Sequence, residues 1–461
     1  MSFCLLIADI LSDALPGAVR SFHADSCILL RYWQDDHRYY PEMGDRFIMT
    51  EAKSGIEFLE NLRRQNGKER QTFDAFSSYL VQKARERGVP LYGEFELTPF
   101  CNLDCKMCYV HLNKDQTHGR SLLTVEQWKE LIDQAYKAGM INATLTGGEC
   151  LTYPGFKELF LYLHSLGCEV SVFTNGVLLD QEWVDFFKAH MPAEIQITLY
   201  GASDDTYQKV TGSRVFSTVV QHIRMLQDAA LPVRICVTPS RYLGEDVFDT
   251  IRTAHELFPN MKVNSNLFRP KEETGRAGQE DDPDIEMYIR IFRYLASLRG
   301  QTLEQIEEDR LPEPGCPVER VQVCDDQACE NTGEASEAGT DQNKLSVPQA
   351  GAGTPRGLLC GAGRMSFTID WKGRMVPCSM MGMITADPLE TGFLPAWKSI
   401  NQAANSWPRP AECEECPYAA VCNNCAAYMN QFAKPGVRPE SLCRRTRKLV
   451  SAGIFRIPDC E

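Results

Sequence analysis

The chain has 461 residues, enough for two or three domains with a core each. Its 43% hydrophobic content marks it as globular, and a formal net charge of -14 argues against a nucleic-acid backbone as the main partner. No run of about 18 apolar residues occurs, so no membrane span is expected. Met1 to Val19 carries Asp9 and Asp13 and lacks the basic start of a signal peptide. A cytoplasmic location is expected, where the 19 cysteines are better explained by metal or redox chemistry than by disulfides.

In chain order, residues 1–90 read as a small separate domain: β-like runs at Cys27 to Trp33 and Arg46 to Thr50, then helices near Ala52 to Arg64 and Thr72 to Arg87. Residues 91–311 read as the next domain, in which 91–300 alternate strand and helix. The strand-like runs are Leu91 to Thr98, Asn142 to Thr146, Cys168 to Thr174, Glu194 to Tyr200, Val233 to Thr238 and Met261 to Leu267. Thr124 and Gln127 form a capping box ahead of Val125, Trp128, Leu131, Ile132 and Ala135 on one helical face. Phe216, Val219, Val220, Ile223 and Leu226 give a later helix the same stripe. Repeated βα units predict an α/β fold with a parallel sheet, a partial (β/α)6 TIM barrel two units short of closure. Residues 283–311 read as a charged helical connector within this part. Within residues 312–357, the stretch from 325 is poor in large apolar side chains and reads as a linker or insertion. Residues 358–461 form a small cysteine-rich domain that needs metal as a staple.

Three thiols, Cys101, Cys105 and Cys108, lie within eight residues directly after the first strand. Such a compact loop suits a cluster of soft, sulfur-seeking metal ions. Three ligands on a four-iron cluster leave one iron for something other than protein. The second strand runs into Gly147-Gly148-Glu149, where glycines let a backbone approach closely and a carboxylate can hold an ammonium. The third and fourth strands end in Thr174-Asn175-Gly176 and Thr198-Leu199-Tyr200-Gly201.

The Cys-x3-Cys-x2-Cys loop, followed by Gly-Gly-Glu at the next strand end, resembles the radical S-adenosylmethionine (SAM) enzymes. The resemblance implies that Cys101, Cys105 and Cys108 hold a 4Fe–4S cluster. It implies that SAM binds the open iron, and that Gly147, Gly148, Glu149, Asn175 and Thr198 contact SAM. One electron from the cluster then splits SAM into methionine and a 5′-deoxyadenosyl radical, which takes a hydrogen atom from the substrate. Met107 stands where the family favours an aromatic residue, and its polarizable side chain can cover adenine comparably. No residue is singled out as the proton or hydrogen donor.

Toward the C-terminus come Cys360, Gly373 and Cys378, then Cys413-x2-Cys416-x5-Cys422-x2-Cys425, and Cys443. This resembles the seven-cysteine SPASM domain, with the last short spacing one residue tighter than usual. The resemblance implies two auxiliary 4Fe–4S clusters, an outer one on Cys413, Cys416, Cys422 and Cys443 and an inner one on Cys360, Cys378 and Cys425. The inner set lacks a fourth ligand, which leaves either an iron open to substrate or a ligand from Cys316, Cys324 or Cys329. By spacing alone the two Cys-x2-Cys pairs fit a zinc ribbon, so a zinc-bearing interaction scaffold is the non-enzymatic alternative. Cys4, Cys27, Cys168 and Cys236 read as buried thiols, and Cys150 could face the cofactor.

Enzymes with this two-part resemblance mostly modify peptides. Residues 1–90 faintly resemble a winged-helix element that grips a leader peptide by pairing with a strand. Ser379 follows Cys378 where sulfatase-maturing enzymes carry Asp, which lowers that reading. The expected function is maturation of a ribosomal peptide with a leader, by cross-linking and with a thioether favoured. Sulfatase-type protein oxidation and small-molecule or cofactor synthesis are the alternatives. A flavodoxin or ferredoxin is the expected reductant; no nucleic-acid or membrane partner is expected.

Overall fold

The computed structural model describes residues 84–263, 285–300 and 357–455 with Val81 and Ile457, apart from Tyr109, His111, residues 113–116, His118, Asn423, Asn424 and Gln431. The winged-helix reading of the N-terminal domain and the 312–357 linker, together with Cys4, Cys27, Cys316, Cys324 and Cys329, therefore lie outside the described residues.

Six parallel strands follow the predicted order: β1 (Tyr92–Glu96), β2 (Asn142–Thr146), β3 (Glu169–Thr174), β4 (Glu194–Leu199), β5 (Val233–Val237) and β6 (Lys262–Val263). Helices α1 (Val125–Lys137), α2 (Phe156–Leu166), α3 (Gln181–Ala189), α4 (Asp204–Thr211), α5 (Phe216–Asp228) and α6 (Asp246–Leu257) connect them. After β6 comes α7 (Ile285–Leu298), within the predicted connector. The C-terminal part adds β7 (Ser366–Ile369), β8 (Met375–Val376), α8 (Pro388–Thr391), α9 (Phe393–Ser406), α10 (Ala426–Met429) and α11 (Glu440–Ser451).

Among the described residues the sheet order is β6-β5-β4-β3-β2-β1-β7-β8, open at both edges. β7 pairs parallel with β1, and β8 folds back antiparallel on β7. The cysteine-rich segment is thus built onto the barrel sheet rather than beside it. This pairing joins segments more than 270 residues apart, which no local sequence signal encodes.

Local chemistry explains why these elements form. At the start of α1 the Gln127 backbone N–H donates to Thr124 Oγ1 at 3.3 Å, and the Thr124 N–H donates to Gln127 Oε1 at 2.9 Å. Both halves of the capping box are therefore made. α1 buries Trp128, Leu131, Ile132 and Ala135, and α5 buries Val219, Ile223 and Leu226. α2 stops at Gly167, whose φ of 86° is left-handed and suits glycine.

The strand alternation divides the sheet into two faces. Ile369, Phe95, Leu145, Val172, Ile195 and Val233 stand in register and are buried. This face meets the helices: the Phe95 ring lies edge-on to Trp128 of α1, centroids 6.0 Å apart. The neighbouring register row is Thr368, Glu94, Thr144, Ser171 and Glu194, all polar. Glu96 opposite Thr146, and Gln196 opposite Arg234, extend that polar face. An ordinary barrel core is apolar inside. Here the face turned away from the helices can solvate a polar ligand.

A second, smaller core joins α7 to α10 and α11. Tyr288, Ile289 and Phe292 pack with Tyr428, Leu442 and Leu449, and the Arg445 guanidinium lies 4.5 Å from the Tyr288 ring centroid.

Candidate active site

The three-thiol loop leaves the C-terminal end of β1. Its backbone is pinned to the last turn of α4: the Asp104 N–H donates to the Thr211 carbonyl and the Lys106 N–H to the Val210 carbonyl, both at 3.0 Å. The Cys108 N–H donates to the Cys105 carbonyl at 3.1 Å, which closes a turn and draws the thiols together. Burial pushes the Cys101 thiol up to about 12, and the nearby Glu149 carboxylate and Cys108 act in the same direction. Burial also raises Cys105 well above the ordinary thiol value, with Cys108 and Cys101 adding to it and a hydrogen bond from Tyr200 opposing it. The three sulfurs are therefore close enough to feel one another's charge. Cys101 Sγ accepts from the Leu103 N–H at 3.4 Å and from Asn175 Nδ2 at 3.5 Å. Hydrogen bonds of this kind stabilise thiolates, the form that binds metal.

Gly147 and Gly148 sit against the chain that leads into this loop. A Cβ on Gly148 would lie 2.3 Å from the Phe100 carbonyl oxygen, and one on Gly147 2.5 Å from that of Thr98. Gly147 also has a φ of 149°. The Gly148 and Glu149 N–H groups donate to the carbonyls of Thr98 and Phe100 at 2.7 and 2.8 Å. What the glycines admit is thus the backbone before Cys101, where the sequence reading placed a ligand.

Glu149 turns inward and is 1% exposed. Its Oε1 accepts from the Leu151 N–H at 3.2 Å and from Thr174 Oγ1 at 2.8 Å; its Oε2 accepts from the Asn175 N–H at 2.8 Å. Burial raises its pKa, opposed by these hydrogen bonds. Cys150 Sγ is a fourth donor, 3.8 Å from Oε1; Oε2 takes only the Asn175 N–H and keeps a position for one further N–H. Asn175 binds Glu149 through its backbone and Cys101 through its side chain, and its Nδ2 also donates to Asn102 Oδ1 at 2.7 Å. Thr198 lies half-buried on the polar face opposite Cys236. Met107 is buried in the main core, 3% exposed.

The sequence profile of the radical SAM superfamily matches residues 95–257, the stretch from β1 to α6. Residues 95–257 form a radical SAM domain. The chain is 25% identical over 338 residues to the AdoMet-dependent heme synthase of Methanosarcina barkeri, covering 72% of this chain and 90% of that protein. It is 23% identical over 416 residues to AlbA, the antilisterial bacteriocin subtilosin biosynthesis protein of Bacillus subtilis, covering 87% and 79%. The crystal structure of Streptococcus suis SuiB bound to its precursor peptide SuiA shares the fold. Its TM-score is 0.55 at 14% identity, over 91% of this chain and 87% of that one.

The radical SAM domain makes the chain an enzyme and implies a 4Fe–4S cluster and SAM. The residues present suit that pair. Three mutually close thiols, two of their sulfurs already accepting hydrogen bonds, are a soft donor set. The carboxylate with spare acceptor capacity lies beside them.

Beyond the radical SAM domain the seven C-terminal cysteines fall into two groups. Burial raises Cys378 to about 12, and Cys425 and Cys360 are its thiol neighbours. Burial raises Cys413 to about 11, with Cys443, Cys416 and Cys422 beside it. Cys425 thus lies with Cys360 and Cys378, and Cys413 with the other three. Thr446 on α11 donates to Cys422 Sγ at 3.4 Å. Among the described residues no three or more His, Cys, Asp or Glu side chains close on a single-ion site. Cys168 and Cys236 are buried, as expected. Cys150 is buried too, with its Sγ 3.3 Å from the Phe173 carbonyl oxygen.

Sequence reading missed Glu94, Glu96 and Tyr200. Glu96 is 1% exposed on the polar face, and Glu94 accepts from Thr368 Oγ1 at 3.3 Å. The signal was the strict alternation of Glu94, Phe95, Glu96, Leu97 and Thr98, which puts both acids on one side of β1. Tyr200 lies within the field of all three loop thiols.

Proposed function

We propose that this radical SAM enzyme matures a peptide that carries a leader, by cross-linking it, with a thioether as the favoured bond. The observation that carries this reading is the polar sheet face that runs between the three-thiol loop and the inner cysteine set. Glu94 lies on that face and acts electrostatically on Cys378. A substrate lying there would be within reach of both. Two relatives support the peptide class: AlbA is named for a bacteriocin, and SuiB is bound to a precursor peptide.

When bound at Cys101, Cys105 and Cys108, the cluster and SAM supply a 5′-deoxyadenosyl radical. The rest is positioning by the chain. Glu149, held by Leu151, Thr174 and Asn175, offers an acceptor for the amino group of SAM, and Thr198 and Asn175 face the same site. Thioether formation takes one hydrogen atom from a substrate carbon, one proton from a substrate thiol and one electron from the pair. A cluster held by Cys360, Cys378 and Cys425 would supply an acceptor for that electron, and the outer set, which includes Cys443 of α11, would brace the module that α11 packs against α7. A flavodoxin or ferredoxin reduces the domain. The enzyme works in the cytoplasm; among the described residues no helix is long and apolar enough to cross a membrane.

The test is anaerobic incubation of the reconstituted enzyme with SAM, dithionite and a Cys-containing precursor peptide encoded beside it. A product lighter by two hydrogens per bond, with its thiol no longer alkylatable, is expected. SAM cleavage with no change in any such peptide contradicts it. A second reading, small-molecule chemistry, is favoured by the 90% coverage of the heme synthase. It predicts that a chain lacking residues 1–80 keeps full turnover, whereas the peptide reading predicts loss.

A further inference from the structure

We propose that Asn175 is a positioning residue for the cluster: its side-chain amide donates to the Cys101 sulfur and so raises the midpoint potential at which that cluster takes up an electron. This rests on the reading that Cys101, Cys105 and Cys108 hold the cluster.

Asn175 follows directly on β3 and is 5% exposed. Its Nδ2 donates to Asn102 Oδ1 at 2.7 Å and to Cys101 Sγ at 3.5 Å, which uses both amide hydrogens. Its Oδ1 accepts from the Val177 N–H at 3.0 Å. A backbone N–H can only donate, so this bond fixes which end of the amide is oxygen and leaves the donor end turned to Cys101. One lone pair of Oδ1 is all the side chain keeps for any other partner. The turn that carries the residue is itself held. The Asn175 N–H donates to Glu149 Oε2 at 2.8 Å, and Thr174 Oγ1 donates to Glu149 Oε1 at 2.8 Å while accepting from the Gly176 N–H at 3.1 Å. His222 of α5 places its Nδ1 3.0 Å from the Gly176 carbonyl oxygen. The amide therefore reaches from a fixed point after β3 to the loop after β1.

Reduction adds negative charge to an iron–sulfur cluster, and part of it falls on the thiolate sulfurs. An N–H aimed at one of those sulfurs stabilises the reduced form more than the oxidised one, which raises the potential. Leu103 supplies such an N–H to Cys101 Sγ from within the loop, at 3.4 Å, and Asn175 supplies one from another strand end. Because Asn175 is buried, water does not take the place of a donor removed there. A side chain that served SAM alone would leave the potential of the SAM-free cluster where it is.

The test is an EPR-monitored redox titration, without SAM, of the anaerobically reconstituted full-length enzyme and its Asn175→Leu and Asn175→Ala variants. The signal followed is the one that Cys101→Ala lacks. Leucine is close to asparagine in size and has no side-chain N–H, and both variants keep the backbone bond to Glu149. The midpoint of this signal should move negative in both variants, while any other cluster signal keeps its own. A midpoint reports on whatever fraction of the protein is loaded, so partial loss of iron leaves the comparison valid; if Asn175→Ala loads none, Asn175→Leu decides. A wild-type midpoint in Asn175→Leu overturns the proposal, and weaker SAM binding beside that unmoved midpoint makes the residue a SAM contact instead. An Asn175→Leu chain with no such signal also overturns it, since the residue would then be needed to build the cluster rather than to tune it. Iron content and EPR signals left complete by Cys101→Ala overturn instead the underlying reading that these thiols hold a cluster.

Discussion

At the residue scale, the site depends on what cannot be larger. Gly148 has no room for a Cβ because the Phe100 carbonyl lies in its place. Gly148→Ala must push the strand end away, and with it Cys101. Displacements near 1 Å in a reacting site cost about 100-fold in rate. The variant should keep wild-type circular dichroism and lose about that much SAM cleavage; an unchanged rate would show that the loop does not depend on this contact. The thiols make a second prediction. Cys101 is held up to about 12, so at neutral pH it is protonated in the metal-free protein, and iron must displace that proton. Thiolate becomes more populated as pH rises toward that value. Iron uptake by the apo-enzyme should therefore speed up between about pH 7 and 9, with protons released to an indicator dye. A flat profile contradicts the protonated starting state.

At the scale of elements, β7 joins the cysteine-rich segment to the barrel sheet. Its Phe367 packs edge-on against Phe95 at 6.0 Å, Phe393 at 5.0 Å and Trp397 at 6.1 Å. Phe367→Ala should cost about 3–5 kcal/mol in urea unfolding, as truncation of a buried aromatic does. A loss under about 1 kcal/mol would mean that β7 is not a packed member of the sheet. The elements legible in the sequence were those with local signals. β2 matched its predicted run, and α1 carries its start in the Thr124 and Gln127 pair. β7 was not legible because four residues, Ser366 to Ile369, carry no distinctive period, and their partner is fixed by tertiary pairing. The three thiols and Glu149 were legible as a spacing. What the glycines press against, and the Tyr200 and Asn175 contacts to the thiols, were not, since they arise where separate strand ends meet.

For the whole molecule, the sheet links one three-thiol loop to two further cysteine sets, and the sets should be separable in function. Cys413→Ala removes a thiol of the outer set, whose thiol neighbours are Cys443, Cys416 and Cys422. It should leave most SAM cleavage intact while product formation or folding suffers, measured by 5′-deoxyadenosine release beside product mass and melting temperature. Loss of SAM cleavage in a folded Cys413→Ala chain would contradict that division. The central claim is that the thiols after β1 hold the iron at which SAM is cleaved. The most direct test is 5′-deoxyadenosine release by Cys101→Ala after oxygen-free reconstitution, with iron counted on the same sample. The account predicts no release and less bound iron than in the unmodified enzyme; cleavage at the full rate would contradict it.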